Sequence, residues 1–351
     1  MNSKFKLTIG ILSYNRPNEL SRAIKSLLPL PQEVEVLICD DKSPKLDEIL
    51  TSIKDLLSVQ NIKFISNENN LGYDRNLYQV IELASSEYVM LIGDDDYFEE
   101  GTVQNVINYL DLYPDLHCGF VHFRNEDRLS KNIKYTRHYS SYKYFDIDTL
   151  EKNGSFLYTS ILFSGLVFSK KSIELNKMDF SRYYKSIYIQ VAIFVKLSIK
   201  FGTYYINGPG VIIGGDGESG FGFNEASGNI DSDLKDRSSV ISNLSYHKRL
   251  FDVVRNLQDE TKINIVSPLN KEYKIRSIKA FYLARQYGRE YLLEYWSELK
   301  KVNVKGIWLL YPIYAIIFFL PTVMLNYPIL TIEKVLNNYR SKKSKKYSTN
   351  D

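Results

Sequence analysis

The first 125 residues alternate between short apolar runs and segments of helical periodicity, and this alternation most restricts the fold. Five runs rich in β-branched and aromatic residues predict buried strands at residues 7–12, 34–39, 62–65, 88–92 and 118–123. Between them, apolar residues recur every three or four positions behind Pro17 and Pro44, and again over residues 73–84, which predicts helices. Strands alternating with helices are typical of an α/β protein with a mixed, mostly parallel sheet flanked by helices.

Beyond residue 125 the pattern is less regular. We predict strands at residues 162–168, 203–206 and 211–213, and a helix at 183–200. Two amphipathic helices are expected roughly over 234–257 and 268–301. We therefore divide the chain into an α/β domain (1–228), a helical region (229–303) and a C-terminal segment (304–351).

The C-terminal segment is apolar and then basic. Residues 307–325 are almost wholly apolar and are interrupted by prolines. As one helix they would measure roughly 28 Å, close to the thickness of a bilayer core, but basic residues on both sides disfavour a single span. We expect a hairpin or an in-plane helix that associates with the membrane surface. A dimerisation helix, and therefore a homo-oligomer, is the alternative.

The formal net charge of +4 is localised at the C-terminus. Residues 340–351 contain five basic residues and one acidic residue, so the rest of the chain is neutral. A neutral body gives no support to a nucleic-acid-binding surface. Cys39 and Cys118 lie in predicted buried strands, and the N-terminus lacks an export leader, so we expect the protein at the cytoplasmic face of the cell membrane.

Two acidic clusters each follow a predicted strand. Asp94-Asp95-Asp96 follows residues 88–92, and Asp40-Asp41 follows residues 34–39. Open α/β sheets bind their ligands at the carboxyl ends of the strands. Adjacent carboxylates repel each other unless a cation lies between them, and Mn²⁺ or Mg²⁺ with phosphate oxygens suits an oxygen-only site. An acidic triplet taken alone is also typical of a solvated loop.

Two further polar segments follow strands in the same way. Ser13-Tyr14-Asn15-Arg16-Pro17 follows the first strand, and residues 70–76 follow the third. Gly72 permits close approach of the backbone, and Arg75 carries a guanidinium group whose geometry matches phosphate. The four segments together predict a site for a metal-bound diphosphate.

In order and content these segments resemble inverting family 2 glycosyltransferases of the GT-A fold, of the type that makes bacterial surface polysaccharides. The resemblance implies a nucleotide-diphosphate sugar donor, a lipid-linked or glycan acceptor, and Mn²⁺ or Mg²⁺. It also implies that Asp41 contacts the base, that Asp94 or Asp95 contacts the ribose, and that Asp96 ligates the metal. The triplet leaves the register open by one residue, so Asp94 is a second candidate ligand. The remaining expected donor-binding residues are Ser13, Asn15, Arg16, Gly72, Arg75 and Asn76.

The sequence departs from this family at the expected catalytic base. Many relatives have a Glu-Asp pair at the start of the helix predicted here at residues 183–200, where this chain has Tyr188-Ile189-Gln190. Asp216 and Glu218 are therefore the candidate bases, with Asp179 as a further candidate.

The segment around Asp216 and Glu218 is rich in glycine, and this composition predicts a mobile loop rather than a dinucleotide-binding turn. If the chain lacks a base, it is a non-catalytic membrane protein that binds a nucleotide or a partner. A nucleotidyltransferase is disfavoured because no glycine-rich, lysine-bearing phosphate loop follows the first strand.

Overall fold

The computed structural model describes residues 4–126, 133–137, 144–152, 154–214, 240–322 and 324–325. The chain forms two compact units, Met1–Ile147 with Ser160–Gly228 and Asp148–Thr159 with Asn229–Asp351. The three-part division into residues 1–228, 229–303 and 304–351 stays a prediction.

The first unit is built on a mixed β-sheet. Its strands are β1 (Leu7–Ser13), β2 (Val34–Asp40), β3 (Ile62–Ser66), β4 (Tyr88–Gly93), β5 (Tyr97–Phe98), β6 (Cys118–Glu126), β7 (Ile133–Arg137), β8 (Tyr144–Phe145), β9 (Leu166–Ser169) and β10 (Thr203–Ile213). Within the described residues they form one sheet in the order β3-β2-β1-β4-β9-β6-β10-β5, with β7 beside β6 and β8 beside β10. Strand β1 pairs in parallel with β2 and β4, while β9 is antiparallel to both β4 and β6. The predicted α/β fold with a mixed sheet and helices is confirmed.

The helices follow the strands in the first unit and make up most of the second. They are α1 (Pro17–Lys25), α2 (Leu46–Ile53), α3 (Tyr73–Leu83), α4 (Thr102–Leu112), α5 (Ile147–Lys152), α6 (Gly154–Leu157), α7 (Lys170–Leu175), α8 (Ile189–Phe201), α9 (Ser242–Thr261), α10 (Val266–Gln286), α11 (Arg289–Lys301) and α12 (Tyr311–Phe319). None of the helices in the described residues combines the length and the apolar character that crossing a bilayer requires.

The central strands are buried along their whole length. Every residue of β1, β2 and β4 is buried, as expected for parallel strands covered on both faces. At Gly10, in the middle of β1, a Cβ atom would lie only 2.1 Å from Cγ1 of Val80, so α3 packs closely on the strand. The three strands each extend one residue beyond the predicted end, to Ser13, Asp40 and Gly93. The polar residues that follow them therefore start from a rigid edge.

Some predicted elements differ from those observed. The strands predicted at 203–206 and 211–213 are one strand, β10, with an irregularity between Ile206 and Val211. Helix α8 begins at Ile189 rather than near residue 183, because Lys185 and Ile187 have positive φ angles that a helix does not contain. The strand predicted at 162–168 begins only at Leu166.

The second unit also differs in one respect from the prediction. The helix expected over 268–301 is two helices, α10 and α11, separated at Gly288, whose φ is +115°. The two helices pack through aromatic rings, with the ring centroid of Phe281 at 5.9 Å from that of Tyr295 and 5.5 Å from that of Trp296. The helix expected over 234–257 is α9 in the described residues, while 234–239 lie outside them.

Candidate active site

The carboxyl end of β1 brings the two acidic clusters together. The backbone N–H of Asp41 donates to the carbonyl of Ser13 at 3.0 Å, and that of Asp94 donates to the carbonyl of Leu12 at 3.2 Å. Because β1 lies between β2 and β4, Asp41 and the triplet beginning at Asp94 approach the end of this strand from its two sides.

Asp41 holds the loop that follows β3. Its carboxylate accepts hydrogen bonds from the backbone N–H groups of Leu71 (2.7 Å) and Gly72 (2.9 Å) and from the side-chain amide of Asn67 (2.9 Å). Burial raises the pKa of Asp41, and the hydrogen bonds act in the opposite direction. A carboxylate has about four acceptor positions, so about one remains for a ligand.

Two predicted donor-binding residues are engaged elsewhere. The buried side chain of Asn76 donates to the carbonyl of Cys39 at 3.1 Å and accepts from Asn67 at 3.0 Å, so it supports the Asp41 loop from behind. Arg75 donates to Glu82 at 2.5 Å, along α3. Direct donor contacts by Asn76 and Arg75 stay predictions.

Arg16 neutralises part of the acidic triplet. Its guanidinium group lies 2.8 Å from Asp94 Oδ1 and 3.0 Å from Asp95 Oδ2. Asp94 also accepts from the backbone N–H of Tyr14 at 2.9 Å. Burial raises the pKa of Asp94 to about 7 although Arg16 acts to lower it. Arg16 is predicted to bind the donor. In the structure its guanidinium group pairs with these two carboxylates, and a direct contact with the donor stays a prediction.

Asp96 is oriented by two hydrogen bonds. Its carboxylate accepts from the hydroxyl of Ser164 and from the backbone N–H of Gly214, the latter at 3.0 Å. The hydroxyl of Ser164 in turn accepts from the backbone N–H of Gly93 at 3.0 Å. Burial, and then the charge of Asp95, raise the pKa of Asp96. Sequence reasoning missed Ser164, because its segment carries no motif.

Asp95 and Asp96 surround the space beside Gly93. A Cβ atom on Gly93 would lie 3.0 Å from Asp95 Oδ1 and 3.5 Å from Asp96 Oδ2. Among the described residues, no group of three or more His, Cys, Asp or Glu side chains is arranged to hold a metal by itself. Mg²⁺, however, is commonly held by one or two carboxylates together with substrate phosphates. Both carboxylate oxygens of Asp94 are engaged, Oδ1 by Arg16 and Oδ2 by the backbone N–H of Tyr14, whereas Arg16 contacts Asp95 only at Oδ2. The donor set therefore fits a cation that binds with a diphosphate, and Asp95 and Asp96 are better placed for it than Asp94.

Several buried polar atoms near the end of β1 lack a hydrogen-bond partner. They are the hydroxyl oxygen of Ser13, the side-chain oxygen of Asn15 and the side-chain nitrogen of Asn70. Buried polar groups are normally paired, so each unpaired one calls for an explanation. A polar ligand at this edge of the sheet is such an explanation.

An aromatic pair also lies next to Gly93. Phe163 Cζ would be 3.4 Å from a Cβ on Gly93, and the rings of Phe163 and Tyr73 meet edge to face with centroids 5.5 Å apart. Both aromatic side chains offer a large apolar surface and Tyr73 adds a hydroxyl, which suits the faces and hydroxyls of a sugar ring. Sequence reasoning did not single out either residue.

The start of α8 carries no acidic residue. Gln190 donates from its side-chain nitrogen to the carbonyl of Ile161 at 2.9 Å, and its side-chain oxygen is buried without a partner. Asp74, from α3, accepts from the backbone N–H groups of Ile187 and Ile189 at 2.7 and 3.0 Å, and so pairs the first N–H of the helix.

The candidate bases are only partly described. Asp216 and Glu218 lie outside the described residues. Asp179 accepts from the backbone N–H and the hydroxyl of Ser181 at 2.8 and 3.0 Å. These hydrogen bonds lower the pKa of Asp179, so this exposed carboxylate serves a local turn.

Comparisons with known proteins agree with this fold. Residues 8–169 match the family model of Glycosyl transferase family 2. They contain β2 to β9, all of β1 except Leu7, and every predicted donor-binding residue. A curated relative, "Uncharacterized glycosyltransferase MG060" of Mycoplasma genitalium, is 30% identical over 103 residues. The match covers 28% of this chain and only 35% of that relative's length.

Solved structures are similar over more of the chain. TarS of S. aureus, residues 1–349 in complex with UDP-GlcNAc, is similar with a TM-score of 0.55 and 14% identity, over 85% of this chain and 89% of that one. The same protein in complex with UDP gives a TM-score of 0.50 and 12% identity, with the same coverage. At these identities the likeness shows a shared fold, in agreement with the GT-A fold expected from the resemblance.

Proposed function

We propose that this protein transfers a sugar from a nucleotide-diphosphate donor to a glycan or lipid-linked acceptor. The observation that carries the proposal is the meeting of Asp41 with the Asp94-Asp95-Asp96 triplet at the end of β1. The segment that matches a glycosyltransferase family contains this site. TarS, which is similar in fold, was solved with UDP-GlcNAc and with UDP, and this supports a nucleotide sugar as the donor.

The unpaired polar atoms are assigned to the nucleoside. Ser13, Asn15 and Asn70 offer hydrogen-bonding groups that the described residues leave unused. Asp41 retains about one acceptor position for a base N–H, which is the contact that the family resemblance implies. These residues lie near the carboxyl end of β1, and the carboxyl ends of strands are where α/β sheets bind nucleotides.

Asp95 and Asp96 would hold Mn²⁺ or Mg²⁺ together with the diphosphate oxygens. When bound, such a cation offsets the negative charge that develops on the departing nucleoside diphosphate. Ser164 and the N–H of Gly214 fix the orientation of Asp96. Arg16 holds Asp94 and Asp95 in place and lowers their mutual repulsion. The Tyr73–Phe163 pair offers a surface for a sugar ring next to this group.

The acceptor hydroxyl must lose its proton to a base. Gln190, at the start of α8, carries an amide that does not accept protons at neutral pH. Asp216 and Glu218 are therefore the proposed bases. Inversion at the sugar carbon is proposed from the family resemblance alone.

Thermal shift with nucleoside diphosphates tests the donor site. A ligand bound only by the folded state raises its stability by RT ln(1 + [L]/Kd). We expect one nucleoside diphosphate to raise the Tm of the wild type in the presence of Mn²⁺ and much less without it. Asp96→Asn should lose the Mn²⁺-dependent part. Asp55→Asn, an exposed residue beyond α2, is the matched control and should keep it.

An equal Mn²⁺-dependent shift in Asp96→Asn and the wild type would overturn the metal assignment. Absence of a shift with any nucleoside diphosphate would overturn the donor site as a whole.

A non-catalytic binding protein is the second candidate, and the amide of Gln190 in place of an acidic residue favours it. The two functions differ in turnover. Sugar transfer releases free nucleoside diphosphate from the donor that the thermal shift identifies, whereas a binding protein retains the donor intact. Donor binding without release on glycan or lipid-linked acceptors would favour the second candidate.

A further inference from the structure

The C-terminal helix of the second unit presents an apolar face to its surroundings. This C-terminal apolar face consists of Trp308, Leu309, Tyr311, Ile316, Phe319 and Met324, each between 53% and 71% exposed. The opposite side of the same segment, Leu310, Tyr314 and Ile317, is buried. Helix α12 therefore packs with one apolar side and exposes another.

The exposed face belongs to a well-packed element. The ring of Tyr314 lies 4.7 Å from that of Trp296 and 5.8 Å from that of Phe281. Arg289 donates to the carbonyl of Phe318 at 3.1 Å and of Phe319 at 3.4 Å, and so satisfies the carboxyl end of α12. These contacts hold the helix in one orientation and keep the apolar side chains directed outward.

Exposure of this apolar face to water is unfavourable. A helix at the surface of a protein in water carries polar residues on its outer side, whereas a helix that is apolar all round is covered. The sequence of α12, Tyr-Pro-Ile-Tyr-Ala-Ile-Ile-Phe-Phe, contains no charged residue. The two most exposed leucines among the described residues of the first unit, Leu112 and Leu175, instead stand next to acidic residues in the sequence.

The charge of the flanking sequence favours an anionic lipid surface over a second copy of the chain. No acidic residue occurs between Glu298 and Glu333, while Lys300, Lys301 and Lys305 precede the face and five basic residues follow at 340–346. A symmetric dimer through this face would bring the same positive charges together, which is unfavourable. Anionic headgroups complement them, and Trp and Tyr are enriched where protein meets the headgroup region.

The length of α12 indicates how it would lie. Nine residues span about 14 Å as a helix, and a bilayer core is about 30 Å thick. We propose that the C-terminal apolar face docks onto the surface of an anionic lipid bilayer, with α12 in the plane of the interface. This inference goes beyond sugar transfer and uses only residues of the second unit, so it is tested without donor, metal or turnover.

Vesicle binding by the full chain is the first test. The variant carries three substitutions in the C-terminal apolar face, Trp308→Ser, Ile316→Ser and Phe319→Ser. The matched control replaces three exposed apolar residues outside this face, Leu83→Ser, Leu112→Ser and Leu175→Ser. With vesicles of equal parts phosphatidylcholine and phosphatidylglycerol, we expect the variant to bind at least about tenfold more weakly and the control to bind as the wild type does. Phosphatidylcholine alone should bind the wild type at least about fivefold more weakly. Equal vesicle binding by the variant and the wild type overturns the proposal.

Tryptophan fluorescence reports the contact directly. The chain has two tryptophans, the buried Trp296 and the exposed Trp308. In Trp296→Phe, which leaves Trp308 as the sole reporter, we expect the mixed vesicles to shift the emission to shorter wavelength. Unshifted emission overturns the proposal. A third result would also overturn the proposal. If light scattering finds that the wild type is a dimer and the triple-serine variant a monomer, and the wild type does not bind vesicles, the face joins two copies of the chain.

Discussion

Arg16 and Arg75 carry the same charge in the same unit, but they lie in different surroundings. The side chains of Arg16 and Asp94 are only 11% and 5% exposed, whereas those of Arg75 and Glu82 are 36% and 44% exposed. Loss of one partner from a buried pair leaves an uncompensated buried charge, while an exposed pair contributes little. The two ion pairs are therefore expected to differ in their effect on stability, although the charged atoms within each pair are similarly close, at 2.8 and 2.5 Å.

Arg16→Met is expected to lower the free energy of unfolding by about 3 kcal/mol at neutral pH. The reason is that Asp94 loses the cation that offsets its burial. Asp94→Asn in the same chain should restore part of the loss, because the amide carries no charge. Chemical denaturation of the two single variants and the double variant measures this coupling.

Arg75→Met is the control for Arg16→Met, and its free energy of unfolding should change by less than about 1 kcal/mol. An equal effect of the two arginine substitutions would mean that the Arg16 pair is solvated and contributes no special stability.

The residues of the site divide into those that the sequence could indicate and those that it could not. Asp41 and Asp94 follow strands directly in the chain, so their meeting at one sheet edge could be predicted. Asn67, Phe163 and Ser164 reach the same place through the tertiary fold. Ser164 contacts Asp96 across 68 positions of sequence, and no local pattern signals such a contact.

At the scale of elements, β10 departs most clearly from the sequence pattern. The sequence 203-TYYINGPGVII-213 contains Asn-Gly-Pro-Gly in its middle, which predicts a turn. The strand nevertheless continues beside β6 on both sides of an irregularity. Pairing with the long strand β6 overrides the local preference, and such an override is invisible without the partner strand.

Gly210→Ala should destabilise the first unit by more than about 2 kcal/mol. A Cβ atom at Gly210 would lie 2.0 Å from the carbonyl oxygen of His122, a backbone atom of β6 that cannot move without disturbing the sheet. Thermal and urea unfolding measure the loss. Asn207→Ala, at an exposed position of the same strand, keeps its backbone contacts and should change stability little.

A loss at Asn207→Ala as large as that at Gly210→Ala would contradict this explanation, since the close contact exists only at Gly210.

Helix α8 illustrates the same limit of sequence patterns as β10 does. Apolar periodicity extends the helix back towards residue 183, but positive φ angles at Lys185 and Ile187 delay its start, and Asp74 of α3 pairs its first N–H.

At the scale of the whole molecule, the two proposals concern different compact units. The strand ends with Asp41 and Asp96 belong to the first unit, and the C-terminal apolar face belongs to the second. Alternation of strands and helices was enough to predict the α/β class of the first unit. The order of strands beyond β4 was not predictable, because β9 inserts antiparallel between β4 and β6, which precede it in the chain.

Hydrogen exchange of the full chain should therefore give two separate protection patterns. Nucleoside diphosphate with Mn²⁺ is expected to slow exchange at residues 13–16, 70–72 and 93–96, because these backbone segments surround the proposed donor site. Anionic vesicles should slow exchange at 308–324, where the apolar face would leave water. Local protection reports which segments a ligand stabilises, so the two footprints should not overlap. Protection of 308–324 by the nucleotide alone, or of 93–96 by vesicles alone, would contradict two independent binding surfaces and indicate that occupation of one is linked to the other.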